Sequence, residues 1–394
     1  MIALDYLISI IWLSPFFYVT LLLLGKAYNM KKRKKVRKGN VRQNLEKIIF
    51  QIPTIGNVQM VNKTFQTVKG YGLPVDVETW VIIEEWDTHK EEYVADKVVV
   101  VPASFECDDL YKSRALEYAR RLRQKMVADG TLSLNYMLFQ GDDDAVPSKE
   151  FMEEGLTVDA DIMIGTIAPT AKGILTTVID YERCVACGMF CNFFTNIEEP
   201  IWAHGEGTCM VSKVDQTISY DLSDYALDPK IKLISSEDLF YFQKASLHGF
   251  STFNSEKKVY IIPPLTFNDA VVQRRRWMWG QLRILRHKLL PLKNRLRIGV
   301  FGYSGLWLYA LSTLGVPLKY LGIINIPDAV LPFTYATLFL WFAIRGYTIG
   351  KIMGWKHAIA GILTSYVTVT LNFALQVIGF IKGDPKKFEV IRKE

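Results

Sequence analysis

Leu134-Asn135-Tyr136-Met137-Leu138-Phe139-Gln140 runs straight into Gly141-Asp142-Asp143-Asp144. The first seven residues, short and rich in aliphatic and aromatic side chains, read as a buried strand. Carboxylates gathered at the end of such a strand repel one another and resist desolvation, so they call for a cation. Oxygen-only ligands favour Mg²⁺ or Mn²⁺, with substrate phosphates completing the shell. Alternate residues of an extended segment project to one side, so Asp142 and Asp144 can share one ion while Asp143 points away. Taken alone, the triplet favours a solvated acidic turn.

Working outward, residues 46–54, 79–85 and 98–102 are further short runs rich in β-branched or aromatic residues, and 110–128 carries the clearest helical pattern. Strands of this kind separated by crossovers indicate an α/β unit with a mostly parallel sheet, whose ligands sit at the carboxyl ends of the strands. There is no internal repeat, no GxGxxG and no GxxxxGK[ST], so dinucleotide and P-loop sites have no support.

The 394 residues are half hydrophobic, but the excess is uneven. Stretches 7–24, 298–317, 329–344 and 358–381 carry no Asp, Glu, Lys or Arg. A helix crosses the hydrocarbon with about 20 apolar residues. Segment 7–24 is followed by Lys31, Lys32, Arg33, Lys34, Lys35, Arg37 and Lys38, which is the wrong order for a cleaved signal peptide. It reads as an anchor with its basic side cytoplasmic, where the run meets anionic lipid. The net charge of +7 is accounted for by this end of the chain and requires no nucleic acid. Expected divisions are an N-terminal transmembrane helix (1–25), a basic juxtamembrane linker (26–45), a cytoplasmic catalytic domain (46–262), amphipathic interfacial helices (263–295), a C-terminal transmembrane or interfacial region (296–382) and a basic tail (383–394). Cys184, Cys187 and Cys191 share one face of a helical run and read as a packing stripe, because no fourth zinc ligand stands at standard spacing.

Two further elements follow the acidic triplet. Ser236-Glu237-Asp238 opens a helical pattern about 95 residues on, and its plain reading is a helix cap. Gln273-Arg274-Arg275-Arg276-Trp277 comes about 35 residues later, in an amphipathic, basic, aromatic stretch whose plain reading is an interfacial helix. Arginine there also suits a diphosphate accumulating charge.

In this order the elements resemble the D, DxD, [TS]ED, QxxRW signature of membrane-embedded family-2 inverting glycosyltransferases, which include cellulose, chitin and hyaluronan synthases. The runs Tyr111 to Tyr118, Trp202 to Asp221 and Lys387 to Lys393 look most like the egghead-type β-1,4-mannosyltransferases. The resemblance covers about residues 46–394. It implies a GT-A fold and transfer of a hexose from a nucleotide sugar, with GDP-mannose favoured and a UDP-sugar as the alternative, to a lipid-linked or glycan acceptor. It implies Mn²⁺ or Mg²⁺ on Asp142 and Asp144, Asp238 as general base, and Arg276 with Gln273 and Trp277 in the catalytic set. Donor contacts are implied for Thr54, Lys112, Asp142, Asp143, Arg274 and Arg275. For the family's first aspartate, Glu84, Glu85 and Asp87 compete, and register favours Glu85. Trp277, Glu237, Gly207 and His204 are placed on the acceptor side. Arg114 and Tyr118 read as packing or surface residues.

Three spans after residue 296 would put the basic tail outside, against the charge rule. In cellulose synthases of this family a similar F-x-V-x-x-K segment gates the donor site, so Phe388, Val390 and Lys393 are candidate gating residues and 358–381 is expected to lie in the interface. A processive polysaccharide synthase and a non-catalytic membrane sugar-nucleotide binder are the alternatives. A transporter is disfavoured, because no charged residue lies within the apolar segments.

Overall fold

A computed structural model describes all residues except 1, 37–40, 43, 108, 171–172, 202, 222–234, 289, 324, 326, 386–388, 390 and 392–394, with backbone alone for 2–11, 33–35, 302–314 and 316. The strands are β1 (Lys47–Pro53), β2 (Asp76–Glu84), β3 (Lys97–Val101), β4 (Tyr136–Gln140), β5 (Ala145–Pro147), β6 (Ile162–Pro169), β7 (Thr208–Val211) and β8 (Thr252–Ile261). They form one sheet of order β3-β2-β1-β4-β7-β6-β8-β5. The half expected from the sequence is parallel throughout: β1 pairs with β2 and β4, and β2 with β3. The other half is mixed. The four-residue β7 runs antiparallel to both β4 and β6, while β6 and β8 are parallel.

Strand β1 shows why these runs are nearly all apolar. Ile48, Phe50 and Ile52 face one side, with Val81, Ile83, Met137 and Phe139 from neighbouring strands. This layer is covered by α2 (Val58–Lys69), through Val61, Phe65 and Val68, and by α4 (Lys149–Thr157), through Phe151, Met152 and Leu156. Ile49, Trp80, Ile82 and Leu138 face the other side, against Ala115, Leu116 and Ala119 of α3 (Lys112–Ala128). A parallel sheet buried on both faces needs continuous hydrophobic strands rather than alternating ones.

A second, helical layer packs on the first. Helix α1 (Ile2–Val36) contributes Tyr18, Val19 and Leu22; α5 (Ile174–Val185) contributes Tyr181 and Cys184. A π-helical segment, Ala186–Cys191, continues α5 into α6 (Asn192–Asn196). Beyond α7 (Ser212–Thr217) and α8 (Glu237–Leu247) come α9 (Phe267–Arg286), α10 (Leu292–Tyr320), α11 (Leu331–Met353), α12 (Trp355–Leu363) and α13 (Ser365–Ile381). Trp341, Ile344, Ile349 and Ile352 of α11 pack in the α1–α5 layer, and α11 is tied to α5 by the Arg345–Glu182 ion pair.

The N-terminal helix runs past the expected end of the anchor and carries part of the basic run to Val36. Two of its cations are already engaged. Lys26 meets Glu256 at 2.8 Å, and Lys32 meets the Asn196 carbonyl at 2.6 Å and Glu198 at 3.2 Å. Among the described residues, no single helix is long and apolar enough to cross a membrane; α12 and α13 pass that test only together, bent by 70°. The side chains of 7–11 and of most of 298–317 lie outside the described residues.

Candidate active site

The carboxyl ends of β1, β2 and β4 open into a cavity of about 600 Å³, roofed by α9. That volume lies within the range that takes a whole small ligand. Each strand delivers its polar side chain just where the ladder stops: Thr54 after β1, Glu84 at the end of β2, and Asp142 to Asp144 after β4. Gln273, Arg276 and Trp277 reach in from α9, where their spacing puts them on one face.

Lys112, the first residue of α3, joins two of the sequence elements. Its ammonium lies 2.5 Å from Asp142 and 3.3 Å from Glu237. The third element is fastened by the Ser235 hydroxyl, which donates to the Arg276 carbonyl at 2.8 Å. Asp238 accepts from the Gly205 amide at 2.8 Å, and a Cβ on Gly205 would stand 3.2 Å from Lys112 Nζ and 3.6 Å from Asp238 Cβ. The acidic triplet, the later acid pair and the Gln–Trp element therefore surround one space.

The electrostatics of this space are unbalanced toward negative charge. Burial pushes Asp142 up to about 7; Glu206 and Asp144 add to the rise, and Lys112 opposes it. Asp238 is also pushed up to about 7, first by burial and then by Glu237, with Lys112 opposing. Asp238 stands in the first turn of a helix, where the helix dipole favours the ionised carboxylate. Desolvation and the neighbouring carboxylate outweigh that field here. Glu206 goes the other way, to about 2: burial would raise it, but Arg183, His204 and Lys112 overcome the penalty. Burial lowers Arg276, and Glu237, Asp142 and Asp144 oppose that fall. Asp142 and Asp144 offer oxygen ligands only, and their crowding is what a hard divalent cation relieves, so the donor set fits Mg²⁺ or Mn²⁺.

Several expected contacts fall elsewhere. Glu85 is exposed and accepts from the Ala103 amide at 2.6 Å. Glu84 takes the cavity position instead, held by Arg114 at 2.5 Å, because the strand's alternation turns Glu85 outward. Arg114 is thus a half-buried positioning group rather than a surface residue. Asp143 accepts from Thr54 Oγ1 at 2.9 Å, while its carbonyl accepts from Asn57. Arg274 is buried away from the cavity, 3.1 Å from Asp180, and Arg275 binds Glu389 at 2.9 Å and the Gly383 carbonyl at 2.7 Å. Neither is free to meet a donor; on a helix, their neighbour Arg276 takes the inward face. Gly207 has φ +98, and any Cβ there would strike Val259, so it serves the entry to β7. His204 faces Cys187 and Glu206 rather than the cavity. Trp277 lines the cavity, yet its ring already takes Arg274 and Arg183 guanidiniums at 4.4 and 4.9 Å from its centroid.

Ser236 precedes α8 in the left-handed region (φ 64) and makes no side-chain cap, contrary to its expected role. Such strain in a non-glycine residue tends to collect at functional sites. The same holds for Tyr111 (φ 56), just before Lys112. Phe388, Val390 and Lys393 lie outside the described residues, as does Trp202. Ile391 of the same tail lines the cavity, and Arg275 and Arg283 hold the tail to α9 through Glu389 and Asp384.

Glu206 and Arg183, which pair at 2.9 Å, were missed by motif reading. Arg183 lies in a helix with no recognisable pattern. Glu206 carries a faint signal, a charged residue between two glycines ahead of a strand.

The sequence pattern of glycosyl transferase family group 2 matches residues 142–345, slightly more than half of the chain. The β-1,4-mannosyltransferase egh of Drosophila melanogaster is 25% identical over an alignment of 313 residues that covers 75% of this chain and 66% of that protein. The match thus spans just under two thirds of the relative's length. Among solved structures, a mannosyltransferase from Pyrobaculum calidifontis, in complex with GDP-Man and Mn²⁺, superposes with a TM-score of 0.53 at 14% sequence identity, covering 96% of this chain and 100% of that one. That likeness is one of fold, and it agrees with the GT-A arrangement of sheet and helices.

Proposed function

The chain belongs to glycosyl transferase family group 2, and on that premise we propose that it transfers a hexose, by preference mannose from GDP-mannose, to a lipid-linked or glycan acceptor with inversion at the anomeric carbon. The observation that carries this reading is the convergence of Asp142, Asp144, Asp238 and Arg276 around Lys112 at the carboxyl ends of β1, β2 and β4. Mannose is favoured because the Drosophila relative is a β-1,4-mannosyltransferase and the Pyrobaculum neighbour was solved with GDP-Man.

The residues divide the work by position. Thr54, Asp143 and Glu84 border the end of the cavity below the first two strands, where the nucleotide sits. Asp142 and Asp144 hold the Mn²⁺ or Mg²⁺ that, when bound, neutralises the donor diphosphate. Arg276 adds positive charge at the same group as it leaves. Asp238 takes the proton from the attacking acceptor hydroxyl, and a carboxylate with a pKa near the working pH is well matched to that task. The attacking oxygen bonds to the anomeric carbon as the bond to the diphosphate oxygen breaks on the opposite face. Gln273 and Trp277 shape the wall on which the acceptor is presented.

We place the reaction at a membrane surface, with the bent α12–α13 pair and the basic flank of α1 as the supporting features. The decisive experiment is a panel of nucleotide sugars with the full chain in nanodiscs, read by nucleotide release. Release of GDP from GDP-mannose above all other donors supports the reading. Preferred turnover of a UDP-sugar into a long product identifies a polysaccharide synthase instead. Donor binding without release from any sugar leaves a non-catalytic binder. Labelling of a C-terminal cysteine tag in sealed inverted vesicles tests which side of the membrane the tail occupies.

A further inference from the structure

Behind the cavity wall lies a second polar cluster of different chemistry. The π-helical turn Ala186–Cys191 brings Cys187 and Cys191 together, and the loop before β7 lays His204 against them. Their ligand atoms, two Sγ and one ring nitrogen, lie within 4.8 Å of one another. Cys187 Sγ and His204 Nε2 are 3.7 Å apart. A tetrahedral zinc ion, with bonds of about 2.3 Å to sulfur and about 2.0 Å to nitrogen, sets such atoms about 3.6 Å apart. π-Helical turns interrupt α-helices most often at functional sites, since each costs good hydrogen-bond geometry.

A second observation points the same way. The other ring nitrogen, His204 Nδ1, lies 3.5 Å from Glu206 Oε2, and both atoms are buried without a hydrogen-bond partner. A ligand imidazole characteristically donates its far N–H to a carboxylate, which fixes the tautomer and turns the lone pair of the other nitrogen toward the metal. The small closure that makes this hydrogen bond presents Nε2 to the two sulfurs. Cys184 takes no part, since its sulfur packs on that of Met353 at 3.7 Å.

We propose that Cys187, Cys191 and His204 form a zinc site, oriented by Glu206 and distinct from the oxygen ligands of the cavity. Two thiolates and an imidazole select a soft or borderline ion, whereas Asp142 and Asp144 select a hard one. Three protein ligands leave a fourth position to water or another small ligand. The ion clamps the π-turn to the loop that carries Gly205, whose amide holds Asp238, and Glu206, which borders the cavity. Its role is to position that loop, and it stands whether or not the transfer reading above holds.

Elemental analysis of the full chain, purified under reducing conditions, tests this directly. About one zinc ion per chain is expected. The Cys187→Ser/Cys191→Ser variant should lose it by roughly tenfold or more. Cys184→Ser and Asp142→Asn/Asp144→Asn should keep it. Replacement by Co²⁺ in the unaltered protein should give a thiolate-to-metal charge-transfer band, which decides the matter even where the double variant fails to fold. Zinc below a tenth of an equivalent after reconstitution, zinc retained by the double variant, or a cobalt spectrum without thiolate bands would overturn the proposal.

Discussion

Two of the buried charge clusters among the described residues are built to opposite rules. Between α3 and α7, Arg123 and Asp215 are fully enclosed and make two parallel contacts of 2.7 Å. Neighbours add to the pair: Tyr136 donates to Asp215 at 2.6 Å, and Arg123 donates to Gln51 at 2.7 Å. At the cavity, the carboxylates Glu84, Asp142, Asp143, Asp144 and Glu206, with Glu237 and Asp238 beside them, face the cations Lys112, Arg114, Arg183 and Arg276. Charge is balanced in the first cluster and left negative in the second. A balanced buried pair is a structural device whose loss uncovers a lone charge. An unbalanced one holds its groups near the point of titration and invites a cation and a proton transfer.

The comparison breaks most readily at Asp238. Asp238→Asn removes the acceptor of the proton and keeps the shape, so nucleotide release should fall by about 10²- to 10⁴-fold while donor affinity persists. Near-normal turnover in that variant removes Asp238 from the base role. Chelation comes next. EDTA should silence turnover, and Mn²⁺ or Mg²⁺ should restore it, whereas the melting curve of the sheet should hardly move. Restoration by neither ion, once zinc is also resupplied, would mean that the acidic surplus serves something other than a metal.

The balanced cluster predicts the converse. Arg123→Met should cost about 3–5 kcal/mol of stability, because Asp215 is left buried without its partner. Denaturant titration reads that loss, and a cost below about 1 kcal/mol would show that water reaches the pair. The smallest expected effect is on pH. Burial alone would raise Glu117, but Arg120, Arg121 and the Tyr220 amide hold it below the usual carboxylate range. A depressed folded-state pKa gives stability that is complete above the unfolded value and lost as pH falls through the folded one. Glu117→Gln should therefore flatten the acid limb of stability and leave neutral-to-basic pH dependence unchanged. An unaltered acid limb would remove Glu117 from the account.

The legibility of the site followed how local its causes were. β1, β2, β3 and β4 were readable because double-sided burial demands near-continuous apolar runs. Asp142 to Asp144 were readable only in company, since alone they pass for an acidic turn and it is Ser236 to Asp238 and Gln273 to Trp277 following in order that marks them. The mixed half of the sheet was not, since β7 is only four residues long and takes its direction from the strands on both sides. Glu84 was one residue from the choice made on register, and a one-residue slip turns a strand side chain to the opposite face. Arg274, Arg275 and Arg276 are equivalent as letters. Their fates divide because a helix points successive side chains in different directions: one to Asp180, one to the tail and one to the cavity.

Cys187, Cys191 and His204 show the same limit from the other side. Spacing alone made the cysteines a packing stripe, and all three do lie in buried hydrophobic clusters. Whether two thiols and an imidazole share a point in space depends on a π-turn and on the path of a loop returning from the sheet, which no local pattern encodes. By itself the sequence determined the chemistry available here: which oxygens, sulfurs and cations the chain owns, and which segments must be buried. Only the tertiary structure decided which of them meet, because charge balance in a buried space is set by contacts between residues far apart along the chain.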